Sequence, residues 1–436
     1  MENNCLKIAM ICLHSSPVGD VGTQDTGGMS VYVRELSKAL GRLGHCVDIY
    51  TRTNSESCPR IMSLCERVRI IHLSVRDSNH LSKLELHPLI PEFLSSLEDF
   101  RSQEEISYNL IYSHYWLSGI LGEWARELWK VPHLIMFHTL GALKNSCGMG
   151  QQEPELRVSA EKKLAELSSG IIMASNRERK NFMRYYGAAL EKTALVPCGV
   201  QFEIFRPIES RKARLNLGLS LKEKVILYVG RLDPLKGIER LMKAFTLLSS
   251  RNSVRLIIVG ENGCPGSGLE KIMRDLKIRK SVSFFERVDH NLLPLYYSAA
   301  DVLAVPSLYE SFGLVALEAL ACGTPVVATP VGCMEKIIIK GETGMVTSDF
   351  SVQALAEALN FYVSGKNNTS PETIRSSILE YTWSRSAKGV LRFFNEVISE
   401  HPKERSSEQL FKSPFFLKSY AYEKQFGHIG YKSTSG

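Results

Sequence analysis

The stretch VLAVPSLYESFGLVALEALACGTPVVATPVGCMEKIIIKGET, residues 302–343, decides how the rest of the chain is read. Residues 302–305 are apolar and predict a buried strand that ends at Pro306. A short loop then carries Glu310. A helix is expected from about Phe312, carrying Glu318 and stopping at Gly323, with Pro325 just beyond; glycine after a helix and proline past it are ordinary stop signals. Residues 326–328 predict a second apolar strand. On one continuous helix, Glu310 and Glu318 would stand about 12 Å apart. That is too far for two carboxylates to share a proton or a metal ion. It suits two carboxylates gripping different parts of one long ligand, each accepting hydrogen bonds from hydroxyls. In an arbitrary sequence both would be solvated surface charges. Here Glu318 lies inside LVALEALA, where a solvated face has no room, so its carboxylate needs a partner.

Working outward, a chain of 436 residues calls for two domains of about 200 residues each. Its 44% hydrophobic and 23% charged content is that of a globular protein. No apolar run reaches about 18 residues, so no membrane span is expected. The N-terminus, MENNCLKIAMIC, reads as a first strand and not as a signal peptide. Ten cysteines without a C-x-x-C pair point to reduced, buried thiols and a cytoplasmic location. A net charge of +7 fits an anionic small substrate or weak attraction to an anionic surface. Nucleic acid is excluded as a partner, since no dense basic run, zinc-finger spacing or RNP motif occurs.

In the first half, strands are predicted at 6–13, 46–51, 68–75, 110–114, 133–140, 170–175 and 193–196, with helices at 29–43, 89–101 and 115–129. Val33, Leu36, Ala39, Leu40 and Leu43 recur at helical spacing on the first helix. Gly27 and Gly28 sit where that helix opens. Glycine permits close backbone approach and free N–H groups at a helix start bind anions, although such a pair is also an ordinary turn. Strand, glycine-bearing loop and helix is the first unit of a Rossmann-like half. Trp116, Trp124 and Trp129 are expected to pack and not to stack on a ligand. His114 and His138 close their strands, where ligands of open α/β sheets sit; either alone reads equally as a structural histidine. Arg157 precedes Glu161 by four residues, which makes a surface ion pair or, alternatively, a bidentate anion ligand. The segment VPCGVQFEIFRP marks an inter-domain linker near residues 200–209.

The second half repeats the pattern, with strands at 225–229, 254–259 and 282–288 and helices at 238–248, 268–278 and 291–299 before the opening stretch. Further helices are expected at 351–363, 371–381 and 387–398, the last opened by residues 382–384. In GRLDPLKG, residues 230–237, Arg231 and Lys236 flank a turn beside a helix start. There they can neutralise a diphosphate leaving group, or form a solvated basic turn. The loop GENGCPGSG, residues 260–268, permits close approach to a ligand or is a plain turn. No Asp-x-Asp motif occurs, so no metal site is expected and two protein cations take that part. Residues 401–436 hold Phe415, Phe416, Tyr420 and Tyr422, too aromatic for a wholly solvated tail; packing on the first domain or against a partner is expected.

Taken together, PSLYESFGLVALEALACGTPVV, GRLDPLKG and GGMSVYVRELSKAL resemble the retaining glycosyltransferases of family 4. SHYWLSG and HTLGALKN resemble the subgroup of sucrose-phosphate synthases and the inositol-phosphate N-acetylglucosaminyltransferases of mycothiol synthesis. The resemblance covers about residues 6–398 and is most specific over 230–344, where Thr343-Gly344-Met345 looks like the family's turn after the donor site. It implies the α/β GT-B fold, two Rossmann-like domains with parallel sheets facing across a cleft. Residues 1–205 would bind the acceptor and 206–383 the nucleotide sugar, while 384–436 would supply a helix crossing back to the first domain plus a tail. By that resemblance a hexosyl unit moves from a nucleoside-diphosphate sugar, UDP-linked, to a small phosphorylated sugar or polyol. The donor sugar is the co-substrate and no cofactor is implied. His138, facing the reacting sugar, would be catalytic together with Arg231, Lys236 and Glu310. Gly27, Gly28, Arg287, Val288, Phe312, Gly313, Leu314 and Glu318 would join Arg231, Lys236 and Glu310 on the donor. Tyr115, Thr139, Lys144 and Arg157 would meet the acceptor. Ser30 departs from the asparagine that the inositol-phosphate enzymes carry. Lipid or glycan transfer with peripheral membrane contact is a rival reading, but residues 89–101 are not a basic amphipathic helix. A non-catalytic sugar-nucleotide sensor would lack the leaving-group cations. A dehydrogenase would want G-x-G-x-x-G after the first strand, and an epimerase or phosphorylase fits Glu310 with Arg231 and Lys236 less well.

Overall fold

The computed structural model describes residues 5–18, 27–53, 58–75, 78, 81–187, 190–249, 251–260 and 268–401. Most of the glycine-bearing loop 260–268, much of the loop 14–28 and the aromatic tail lie outside these residues.

Among the described residues fourteen strands form two sheets. The first holds β1 (Lys7–Ile11), β2 (Cys46–Arg52), β3 (Ile61–Cys65), β4 (Val68–Leu73), β5 (Leu110–His114), β6 (His133–Met136), β7 (Gly170–Met173) and β8 (Thr193–Leu195). The second holds β9 (Lys224–Val229), β10 (Val254–Val259), β11 (Val282–Phe285), β12 (Val302–Val305), β13 (Val326–Ala328) and β14 (Gly344–Val346). Their spatial orders are β3-β4-β2-β1-β5-β6-β7-β8 and β11-β10-β9-β12-β13-β14. Every pairing is parallel except β3 with β4. Parallel strands need crossovers and are covered on both faces, which is why β12 and β13 read as unbroken apolar runs and β1 as one after Lys7. Chain order reverses between β1 and β5 in one sheet and between β9 and β12 in the other. Ligands of such sheets sit at the carboxyl ends of the strands beside that reversal. The loops leaving β1, β5, β9 and β12 are the ones that carry Gly27, Tyr115, Arg231 and Glu310.

Several expected boundaries shift. β6 ends at Met136 and not at residue 140, because the backbone turns at Phe137–Thr139, with Thr139 N donating to Phe137 O at 2.7 Å and His138 at φ +59°. β11 ends at Phe285, which places Arg287 and Val288 in irregular chain beyond the sheet. β3 is an antiparallel edge strand that no apolar pattern announces, and β14 occupies residues read as a turn. The tryptophans pack as expected: Trp116 and Trp124 are buried and Trp129 stacks on Tyr108.

Among the described residues each half has an apolar cluster of its own, and a third cluster joins the two. The joining cluster runs from Val33 and Leu36 through Phe205 to Leu303 and Leu317, and takes in Ala387, Val390 and Phe394 of the final helix, Trp383–Glu400. That helix opens at residues 382–384, as expected, capped by Thr382, whose hydroxyl accepts from Arg385 N. It lies against the first sheet. Phe394 meets the Tyr112 ring at 5.3 Å, and a side chain at Gly170 would strike Phe393 at 2.8 Å. The chain crosses between the halves twice, side by side: Val200 N donates to Tyr381 O at 2.9 Å, and a side chain at Gly199 would strike Trp383 N at 2.3 Å. No helix among the described residues is long and apolar enough to cross a membrane.

Candidate active site

The loops leaving β9 and β12 are bolted together. Asp233 caps the turn Pro234–Lys236, its carboxylate accepting from Leu235 N at 2.8 Å. Leu308 N donates to Leu235 O at 2.7 Å and Arg240 Nη1 to Pro306 O at 2.8 Å. Gly237 makes the approach close: at φ +73° its hypothetical Cβ would lie 2.0 Å from Pro306 O. A Gly237→Ala substitution is therefore expected to cost at least about 1–3 kcal/mol from backbone strain alone, read as a lowered thermal unfolding midpoint together with lost activity.

This bolting sets Lys236 Nζ 2.5 Å from Glu310 Oε1. Ser307 Oγ donates to the same oxygen at 3.0 Å. Arg231 sits at the start of the β9 loop, its carbonyl accepting from Tyr228 Oη at 2.7 Å. Past Glu310, Phe312 is buried and Gly313, at φ +102°, turns the chain into the helix Leu314–Ala321. A side chain at Gly313 would strike Met334 Cε at 2.1 Å. Glu318 is only 6% exposed, and the partner its setting demanded is a pair. Tyr297 Oη donates to Oε2 at 2.7 Å and His290 Nε2 lies 3.2 Å from Oε1. Arg287 and Val288 precede Asp289, the cap of the turn that carries His290. Gly27 and Gly28 open the helix Gly28–Arg42 on the opposite side of the cleft. A Cβ on Gly28 would touch Leu314 Cδ1 at 3.7 Å, so the two helix starts face one another.

The first half contributes a second cluster. Tyr115 is buried at φ +76°. Its ring lies beneath the Arg157 guanidinium at 4.7 Å and packs on His14 at 4.2 Å. Burial lifts its phenol to about 12. Arg157 is no surface residue. It is 2% exposed and bonds Glu161 at 2.7 Å, Glu153 at 2.8 Å and both oxygens of Thr139 at 2.9 Å. Lys144 also pairs with Glu153. Lys83, which no motif marks, brings Nζ within 6.0 Å of the Tyr115 ring. It sits in irregular chain, where spacing carries no signal.

The clusters meet at one seam. Tyr309 Oη accepts from Leu140 N at 3.1 Å, Ser311 Oγ donates to His138 O, and Ser175 Oγ donates to Ser311 O at 3.2 Å. The two neighbours of Glu310 thus grip the turn that holds His138 and Thr139. His138 is half-buried, and burial pushes its imidazole down to about 3, so it stays neutral at physiological pH. Among the sequence candidates, Glu310, Lys236 and His138 are drawn to this seam. Glu318 lies on the helix that follows, Leu314–Ala321, and Arg157 bonds Thr139 while sharing Glu153 with Lys144. Tyr297, His290, Ser307, Tyr309 and Ser311 were not legible as site residues; only the adjacency of the last two to Glu310 could have flagged them.

The sequence matches the family "Glycosyl transferases group 1" over residues 209–376 and "Glycosyl transferase 4-like domain" over 27–199. It is 34% identical over 407 residues to a D-inositol 3-phosphate glycosyltransferase of Corynebacterium glutamicum, covering 90% of this chain and 97% of that protein. It is 36% identical over 419 residues to the protein of the same name in Corynebacterium urealyticum, covering 92% and 98%. Among solved structures, sucrose-phosphate synthase from Thermosynechococcus elongatus superposes with a TM-score of 0.82 at 31% identity, covering 90% of this chain and 99% of that one. Two parallel sheets closing on one seam, with relatives matched along nearly their whole length, make the chain a glycosyltransferase that belongs to family 4 and has the GT-B fold.

Proposed function

We propose that the chain moves a hexosyl unit, with retention of anomeric configuration, from a UDP-linked sugar to a hydroxyl of a small phosphorylated sugar or polyol. The observation that carries this reading is the seam. Glu310 touches a cation on one side, and its two neighbours hold the His138 turn on the other. In this reading Glu318 accepts from the ribose hydroxyls, Glu310 from sugar hydroxyls, and Arg287 and Val288 wall the base. Gly27 and Gly28, with Phe312, Gly313 and Leu314, bring two helix starts to the diphosphate and sugar. The acceptor oxygen bonds the anomeric carbon on the face from which the diphosphate leaves. The breaking C–O bond delivers its electron pair to the diphosphate, and the acceptor proton passes to a departing phosphate oxygen. Arg231 and Lys236 stabilise the charge that develops there; no bound metal ion enters this scheme.

Tyr115, Thr139, Lys144 and Arg157, joined by Lys83, would receive the acceptor's phosphate. A phosphorylated acceptor is supported by the names of the relatives, which include D-inositol 3-phosphate and sucrose phosphate. Ser30 is fully buried, with its hydroxyl 2.5 Å from that of Ser15. We place the domain boundaries near residues 205 and 383, supported by the paired crossings at Val200 and Tyr381. A cytoplasmic setting is supported by the nine described cysteines, all unpaired.

The test is nucleoside-diphosphate release from UDP-glucose, UDP-N-acetylglucosamine or GDP-mannose, each with D-inositol 3-phosphate, fructose 6-phosphate or no acceptor. Release from one UDP-sugar that depends on one phosphorylated acceptor is expected. Release that needs no phosphorylated acceptor would overturn the acceptor assignment. With the productive pair, Lys144→Ala is expected to raise the acceptor KM about tenfold or more, as loss of a charged contact of about 1.5–3 kcal/mol requires, while the donor KM holds. An unchanged acceptor KM would remove Lys144 from the site.

A further inference from the structure

A pair of imidazoles lies beneath the seam, and only one of them has been given a task. His114, the last residue of β5, is fully buried. Its Nδ1 lies 2.9 Å from His138 Nε2. Burial lowers the basicity of both rings, so each carries a single proton. In a neutral imidazole one nitrogen donates and the other accepts. The ring that owns the proton between them therefore fixes where the other proton sits.

Two arrangements exist. If His138 Nε2 donated, His114 would have to carry its own proton on Nε2. That atom is buried and has no hydrogen-bond partner among the described residues, and orphaned buried N–H groups are rare. If His114 Nδ1 donates instead, its Nε2 is left as a bare lone pair, the lesser fault. His138 Nε2 then accepts, and its proton must reside on Nδ1. The Nε2 edge of His138 is turned inward onto His114. Nδ1 makes no hydrogen bond to a described residue and is not among the buried side-chain atoms left without a partner, so it is the ring nitrogen open to a ligand. Packing fixes both planes. Tyr112 meets His114 edge-on at 4.4 Å, and Tyr32 lies 5.7 Å from His114 and 5.2 Å from His138. Ser311 holds the His138 carbonyl.

We propose that His114 is a positioning residue: it fixes His138 as the tautomer protonated on Nδ1, which offers a hydrogen-bond donor to an oxygen of the bound donor sugar. The proposal rests on the reading that His138 faces that sugar. Its chemistry is the general one in which the bond made by one ring nitrogen sets the state of the other. It makes His138 a reader of acceptor oxygens on the sugar and not of hydroxyl protons.

The test uses the full chain labelled with 15N-histidine, whose long-range 1H–15N spectra distinguish protonated from bare ring nitrogens. His138 is assigned by the signals lost in His138→Gln. Protonated Nδ1 and bare Nε2 on His138 are expected; the reverse would overturn the proposal without disturbing the transferase reading. Kinetics with the productive UDP-sugar and acceptor supply the second readout. His138→Gln is expected to lower kcat on the order of 10²-fold, the scale for one lost positioned donor. His114→Phe keeps the ring packing but loses the bridge, and is expected to fall as far. His114→Asn places an amide N–H near the position of Nδ1, and should recover kcat to within about threefold of wild type. His114→Phe at wild-type kcat, or His114→Asn as slow as His114→Phe with both folded, would overturn the proposal. A wild-type rate in His138→Gln would overturn the placement of His138 at the sugar, and the proposal with it, while product release still upheld the transferase.

Discussion

Lys236→Ala is expected to lower kcat on the order of 10²–10³-fold, the scale for losing one group preorganised toward developing charge, with no change in circular dichroism. The diphosphate gains negative charge as its bond to the anomeric carbon breaks, and a cation already in place stabilises that state more than the ground state. Lys236 is in place because three contacts hold its loop: the Asp233 cap, the Leu308–Leu235 bond and the closeness that Gly237 permits. Its ammonium has three hydrogens, so it can keep the 2.5 Å contact to Glu310 and still reach a phosphate oxygen. Among the described residues the substitution also leaves the Glu310 carboxylate with Ser307 as its partner, which on the proposed reading adds to the loss by loosening the sugar contact. Lys236→Arg is expected to recover little, since a planar fork does not replace a compact point charge. The measurement is steady-state product release with saturating donor and acceptor. Wild-type kcat in Lys236→Ala would take Lys236 out of the transition state and leave it a structural partner of Glu310.

The second large effect is on binding. Glu318→Ala is expected to weaken UDP by about 3 kcal/mol, on the order of 10²-fold in Kd, because on the proposed reading a buried carboxylate that accepts from two ribose hydroxyls is replaced by a methyl group. Tyr297 and His290 hold the carboxylate at 2.7 and 3.2 Å and so fix its orientation before the nucleotide arrives. Glu318→Gln keeps the shape and loses the charge, and should fall between wild type and alanine. Tyr297→Phe removes one of the two holders and is expected to cost less than Glu318→Gln. Calorimetric titration of UDP into each variant checks the order. Equal affinity in all of them would refute the ribose assignment.

The fold was legible wherever strands are buried on both faces, because those segments are short apolar runs bounded by glycine, proline or a polar loop. β5, β10 and the helix Tyr115–Trp129 follow their sequence boundaries to the residue. β3 was not legible: it is an edge strand whose residues are half-exposed, so no face of it needs to be apolar. The turn at His138 was not legible either, since FHTL has the composition of a strand. What ends the strand there is the seam to Tyr309 and Ser311, some 170 positions along the chain. The carboxylate at Glu318 could be foreseen to need a partner, but not which one, because Tyr297 comes from a separate helix. Arg157 illustrates the same limit. The i,i+4 pair with Glu161 was visible, but its burial follows from Thr139 and Glu153 closing over it.

The final helix, Trp383–Glu400, follows the second sheet in the chain yet packs on the first, with Phe393 against Gly170, Phe394 against Tyr112 and Gly389 against Val196. The halves are therefore not interchangeable cassettes cut at a single junction. A hybrid that takes its second half from one relative and its first half from another must inherit this helix from the parent of the first half, and needs two splice points, one near Val200 and one near Thr382. Because those residues run side by side, both splices fall in one place in space. On the proposed division of labour, such recombination between relatives would trade acceptors while leaving the donor machinery whole.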